Sequence, residues 1–187
     1  MTADELRSAV VEAGREMLRL GLVSGSSGNA SARDGDQLLI TPAGLPYEEM
    51  TADDLVAIGM DGEVAEGQRE PSSERRVHLA IYAARPHVGA LVHTHSVHAT
   101  AWSFTGEPLN TTTEELEAAA GGEVLTARFA PTGSEEIATA VVEALRDRRA
   151  VLLARHGVVA VGETPAAALD TCVAVERQAQ IAWLLRR

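Results

Sequence analysis

A two-residue connection, Asp34-Gly35, joins a β-type stretch beginning near Ala30 to the apolar run Gln37 to Ile40, and so short a link closes only an antiparallel pair. A parallel crossover needs about a dozen residues or more, usually including a helix. The restriction recurs. Two short strands are expected around Asp61-Gly62, and the apolar run AVLLARHGVVAVG reads as two β segments broken at Arg155-His156-Gly157. With a further strand over VGALVHTH, the sheet must be largely antiparallel.

Helical stripes fill the intervals. Leu6, Val10, Ala13 and Met17 recur at helical spacing until Gly21, and residues 165 to 186 predict a closing helix with Cys172, Val175, Ala179 and Ala182 or Trp183 inward. PSSERRVHLAIYAARP predicts a helix opening at Ser72 or Ser73, with Glu74 immediately inside it, Val77, Ile81 and Ala84 inward and Pro86 closing it. Short helices are expected over SVHATAWSF and TTTEELEAAAGG, and a longer one after a Thr132/Glu135 capping box, with Ile137, Val141 and Leu145 on its buried face. At 187 residues and 45% hydrophobic, the chain is sized for a single domain over 1–187, an α/β fold with helices on the faces of its sheet.

The formal net charge of -11 excludes the basic footprint of nucleic-acid binding and any attraction to anionic membranes. MTADELRSAVVEAG resembles neither a signal nor a transit peptide, and no apolar run approaches membrane-spanning length, so a cytoplasmic location is expected. The single cysteine, Cys172, reads as a buried small hydrophobe.

The chemistry concentrates in histidine. His93, His95 and His98 fall within six residues, and on a strand His93 and His95 point to one face. Spacing alone leaves two readings: half of a zinc site, or one packed and one solvent-facing imidazole. His156, at the end of an apolar strand and before Gly157, is the natural third ligand, and three histidines with an open position form a catalytic zinc pattern. His98 suits a supporting or packing role, and His78 and His87 read as surface residues. PSSE offers two hydroxyls at a helix start, where an anion is favoured but where serine is also an ordinary cap. GSSGNAS and TPAG are similarly ambiguous between phosphate cradle and plain turn.

Taken in order, GNAS, LITPAG, PSSE, HTHSVHATA, AAAGG and RHG resemble the class II aldolase/adducin family from about residue 5 to 185. The resemblance implies a three-layer α/β/α sandwich with a mainly antiparallel central sheet, assembled as a homotetramer with active sites between subunits. It implies one Zn²⁺ per subunit on His93, His95 and His156, with Glu74 as the acid/base residue, and a substrate phosphate cradle of Gly28, Asn29, Gly44, Ser72 and Ser73. The implied reaction is reversible cleavage of a ketose 1-phosphate, of the L-fuculose 1-phosphate kind, to dihydroxyacetone phosphate and an aldehyde through an enediolate. Other reactions of the family use the same enediolate: sugar-acid phosphate decarboxylation, 4-epimerisation and dehydration. The adducin-like branch is a non-catalytic interaction domain, against which the retained histidines and Glu74 argue. The chain departs from the aldolase pattern in two places. Ala43 replaces a hydroxyl residue, and Glu115 stands where a tyrosine reaches into the neighbouring site; a second tyrosine, in a C-terminal tail, has no counterpart up to Arg187. Glu114, Glu115 and Glu117 read most simply as a solvated first-turn cluster, one of which could serve as the replacement acid.

Overall fold

The computed structural model describes residues 1–110 and 113–186. In chain order the elements are α1 (Ala3–Arg19), β1 (Asn29–Asp34), β2 (Gln37–Ile40), a 3-10 turn (Ala52–Asp54), β3 (Val56–Gly59), α2 (Arg75–Ala84), β4 (Ala90–Thr94) and α3 (Val97–Ser103). There follow α4 (Glu114–Ala120), β5 (Thr126–Ala127), α5 (Glu135–Leu145), β6 (Ala150–Leu153), β7 (Gly157–Gly162) and α6 (Pro165–Leu185). Thr111 and Thr112, at the head of the expected TTTEELEAAAGG helix, and Arg187 lie outside the described residues.

The strands form one sheet in the order β3-β2-β1-β4-β7-β6-β5, in which only the β5–β6 pair is parallel. The expected antiparallel hairpins β1–β2 and β6–β7 are both present. Strand alternation divides the core into two layers. Leu91, Val151 and Val159 face a cluster completed by Val77 and Ile81 of α2 and Ile137 and Val141 of α5. Ala90, Val92, Leu152 and Val158 face the other way, against Val10 and Met17 of α1, Trp102 of α3, Leu116 of α4 and Cys172 and Val175 of α6. The result is the three-layer α/β/α sandwich. Among the described residues no helix is long and apolar enough to cross a membrane.

Several boundaries differ from expectation for local reasons. α2 begins at Arg75, not at Ser72 or Ser73; Glu74 is its N-cap and makes no capping bond with its side chain, because that carboxylate is engaged elsewhere. Ala84 is exposed rather than inward. α5 is capped by Ser134, whose hydroxyl accepts from Ile137 N, in place of the Thr132/Glu135 box. After Asp61-Gly62 the second strand is reduced to a single bridge, Ile58 to Val64.

Candidate active site

β4 is a central strand whose His93 is paired with Asn29 on one side and Val159 on the other, so its ring is held by the most buried part of the sheet. His95 lies one residue beyond β4, where its backbone N–H donates to Leu22 O at 3.0 Å. His156 occupies the tight β6–β7 turn, its N–H donating to Leu153 O at 3.0 Å, with Arg155 before it in the left-handed region at φ 62°. Gly157 explains how the turn reaches β4: a Cβ there would lie 2.1 Å from Thr94 O. Gly28 has a comparable constraint, with φ at 73° and a hypothetical Cβ 2.6 Å from His93 O.

Three imidazoles converge with all pairs of ring centroids 4.8 Å apart. One ligand atom from each of His93, His95, His156 and Glu74 lies within 4.8 Å of all the others. His93 Nδ1–H donates to Val158 O at 2.8 Å, which turns the Nε2 lone pair of the neutral ring toward the cluster. There it meets His95 Nε2 at 2.9 Å and Glu74 Oε2 at 2.9 Å. Glu74 Oε1 lies 3.5 Å from His156 Nε2 and is buried without a hydrogen-bond partner. Lone pairs of three nitrogens and a carboxylate crowded around one point require a positive charge between them, so the residues fit a cation.

The electrostatics agree with that fit. Burial disfavours the Glu74 carboxylate, but His93, His156 and the Asn29 amide outweigh it and hold the carboxyl well below its usual range. Burial likewise disfavours a charged His93, yet Glu74 raises its pKa. His95 is pushed down to about 4, by burial first and then by His93 and His156. His156 is lowered by burial and by His93. Two of the imidazoles are thus neutral, as ligands must be, throughout the physiological range.

Beside these ligands is a cleft of about 200 Å³. All five expected cradle positions, Gly28, Asn29, Gly44, Ser72 and Ser73, line it together with Glu74, His95 and His156. Ser26, Ser27 and Thr132 line it too, and nothing in their spacing distinguished them from turn residues. One of the two N–H groups of the Asn29 amide is already engaged, since its Nδ2 donates to Glu74 Oε2 at 2.9 Å. His98 stands apart from the cluster, 2.7 Å from Glu176, and His87 is exposed. His78, expected at the surface, is completely buried and bonded to Asn29 and Ser31. Glu115 pairs with Arg177 at 3.4 Å and is not among the cleft residues of its own chain.

A family model described as the Class II Aldolase and Adducin N-terminal domain matches residues 8–183. The chain belongs to this family. It is 40% identical over 178 residues to a 5-methylthioribulose-1-phosphate/5-deoxyribulose-1-phosphate aldolase of Rhodospirillum rubrum, covering 95% of this chain and 80% of that one. An L-ribulose-5-phosphate 4-epimerase of Salmonella paratyphi B is 36% identical over 196 residues, covering 97% of this chain and 86% of that protein. A solved L-fuculose 1-phosphate aldolase superposes with a TM-score of 0.94 at 33% identity, over 100% of this chain and 88% of that one. Family membership makes this chain an enzyme of the class II, metal-dependent aldolase type; the relatives' names diverge on the sugar phosphate.

Proposed function

We propose that the chain is a zinc-dependent aldolase that reversibly cleaves a ketose 1-phosphate to dihydroxyacetone phosphate and an aldehyde. The observation that carries this reading is the convergence of His93, His95 and His156 on Glu74, one of whose buried oxygens has no partner, at the edge of a polar cleft. His93, His95 and His156 would hold the metal. A divalent cation bound there, zinc in our reading, supplies a fixed positive charge against the oxyanion that develops on a carbonyl substrate losing a neighbouring proton.

The chain's own groups divide the remaining work. Gly28, Asn29, Gly44, Ser72 and Ser73 receive the substrate phosphate, beside the N-terminus of α2, whose dipole favours an anion. Asn29 steadies Glu74 Oε2, which leaves Oε1 to take the proton from C3 of dihydroxyacetone phosphate. The electron pair released at C3 forms the bond to the aldehyde carbon, and the aldehyde oxygen gains a proton. We assign that last role to Glu115 of the partner subunit in a homotetramer, since the tyrosine of the aldolase pattern is absent. Phosphorylated substrates of this kind fit a cytoplasmic enzyme.

The same enediolate serves a 4-epimerase-like reading, in which the C3–C4 bond breaks to give the enediolate and an aldehyde and re-forms on the aldehyde's opposite face; the Salmonella relative brings this reading forward. The experiment incubates zinc-loaded protein with dihydroxyacetone phosphate and L-lactaldehyde, acetaldehyde or methylthioacetaldehyde. New ketose 1-phosphates are the expected result. Interconversion of pentulose 5-phosphates, without any condensation product, would replace this reading with the epimerase one.

A further inference from the structure

His78 has no place in the chemistry above, yet it is completely buried and only two hydrogen bonds away from the metal-binding cluster. Glu74, His78 and Tyr82 are spaced four apart across the start of α2 and along it, so they lie on one face. Asn29, Ser31 and Arg33 are spaced two apart on β1 and also share a face. The two rows interdigitate. Asn29 Nδ2 donates to Glu74 Oε2 at 2.9 Å, His78 Nε2 lies 2.5 Å from Asn29 Oδ1, and His78 Nδ1 lies 2.7 Å from Ser31 Oγ. Ser31 Oγ in turn lies 2.9 Å from Tyr82 OH, and Arg33 closes the row by stacking on the Tyr82 ring and donating to Tyr82 O at 2.7 Å.

Such a chain of polar groups runs in one of two directions. In one, Tyr82 donates to Ser31, Ser31 donates to Nδ1 of His78, Nε2–H donates to Asn29 Oδ1, and Nδ2–H donates to the carboxylate. In the other, His78 carries its proton on Nδ1 and its bare Nε2 demands the Asn29 NH₂ group. That would turn Asn29 Oδ1 onto Glu74 Oε2, acceptor against carboxylate, which costs both an unmade bond and a repulsion. Only the first direction satisfies every group. Burial pushes the pKa of His78 down to about 3, so the neutral ring, with one proton to place, is the species in question.

We infer that His78, as its Nε2–H tautomer, is a positioning residue that fixes the Asn29 amide and thereby holds one oxygen of Glu74 while leaving the other free. It rests on the reading of Glu74 as the base whose carboxylate charge faces the bound metal, but its first test does not depend on catalysis. Carboxylates that ligate or react beside a metal are commonly oriented in this way by a hydrogen-bonded neighbour, and loss of such a partner weakens metal binding or activity by about 10–100-fold.

In histidine-labelled, metal-free protein, long-range ¹⁵N–¹H correlation spectra should show His78 protonated at Nε2 and bare at Nδ1; a proton on Nδ1 would overturn the inference. Two variants supply the second arm. His78→Leu removes the donor, whereas His78→Gln retains an N–H at the reach of Nε2. Zinc affinity measured by chelator competition should fall about tenfold or more in His78→Leu and return to within about threefold of wild type in His78→Gln. An unchanged affinity in the leucine protein, or a glutamine protein no better than the leucine one, contradicts the inference whatever sugar the enzyme takes. If the leucine protein does not fold, the tautomer measurement decides alone.

Discussion

At the scale of single residues, the metal-binding cluster was legible and its support was not. His93 and His95 announce themselves by i, i+2 spacing on an apolar strand, and His156 by its turn before Gly157; the structure brings all three together. His78 was misread because a lone histidine among arginines on an amphipathic helix resembles a surface residue. The readable signal was a double one, Glu74, His78 and Tyr82 four apart and Asn29 and Ser31 two apart, but it becomes visible only once α2 is known to cross β1. His93→Ala, His95→Ala and His156→Ala should each purify with far less zinc than wild type, by elemental analysis; full zinc content in any of them removes that residue from the ligand set. Gly28→Ala should be destabilised by about 1–3 kcal/mol in urea unfolding, since it adds a left-handed φ penalty to a clash. The clash is with the His93 carbonyl, only 2.6 Å from the added carbon.

At the scale of elements, the hairpins could be read because turn length is a local property. Asp34-Gly35 dictates β1–β2 and the three residues 154–156 dictate β6–β7, independent of the rest of the chain. The start of α2 could not be read so well, because its cap is a glutamate whose side chain bonds to Asn29 instead of to the helix. β5 was missed outright: two residues in a parallel pairing with β6 leave no periodic trace. The junction of β4 and β7 is the element-scale feature that makes the site. Gly157→Ala places a methyl group 2.1 Å from Thr94 O and 3.2 Å from the His95 ring, so the strands must part where the ligands meet. The variant should unfold at lower urea by about 1–3 kcal/mol and bind zinc more weakly than wild type. Wild-type zinc affinity would show that the close approach serves packing alone.

At the scale of the whole molecule, the sandwich follows from alternation on seven strands, but assembly and acid sensitivity depend on groups far apart in sequence. Val97, Phe104 and Phe129 are large apolar side chains 62–69% exposed in the single chain, and Glu115 is not among the residues lining the metal-site cleft of its own subunit. Light scattering should therefore report a tetramer at micromolar concentration; a monomer would leave Glu115 without a reaction to serve. Acid should weaken the metal-free protein in a defined window. His78, down at about 3 when folded, stabilises fully above its ordinary value of 6.5 and loses that contribution as pH falls below it, and His95 and His156 act in the same sense. His93 is raised, so its contribution is present below 6.5 and disappears as pH rises through its folded value; the contribution of Glu74 is lost only as pH falls from 4.5. Urea midpoints should thus drop between about pH 6.5 and about pH 4, with a slope of up to about 1.4 kcal/mol per pH unit from His78. A midpoint flat across that window would contradict the buried neutral imidazoles. The central claim, that Glu74 moves a proton beside a metal held by three histidines, is tested most directly by isotope exchange in deuterated water. Zinc-loaded wild type should exchange one hydroxymethyl hydrogen of dihydroxyacetone phosphate without any aldehyde, while Glu74→Gln, still folded and holding zinc, should lose most of that exchange; no exchange by the loaded wild type, or normal exchange by the variant, would contradict the account.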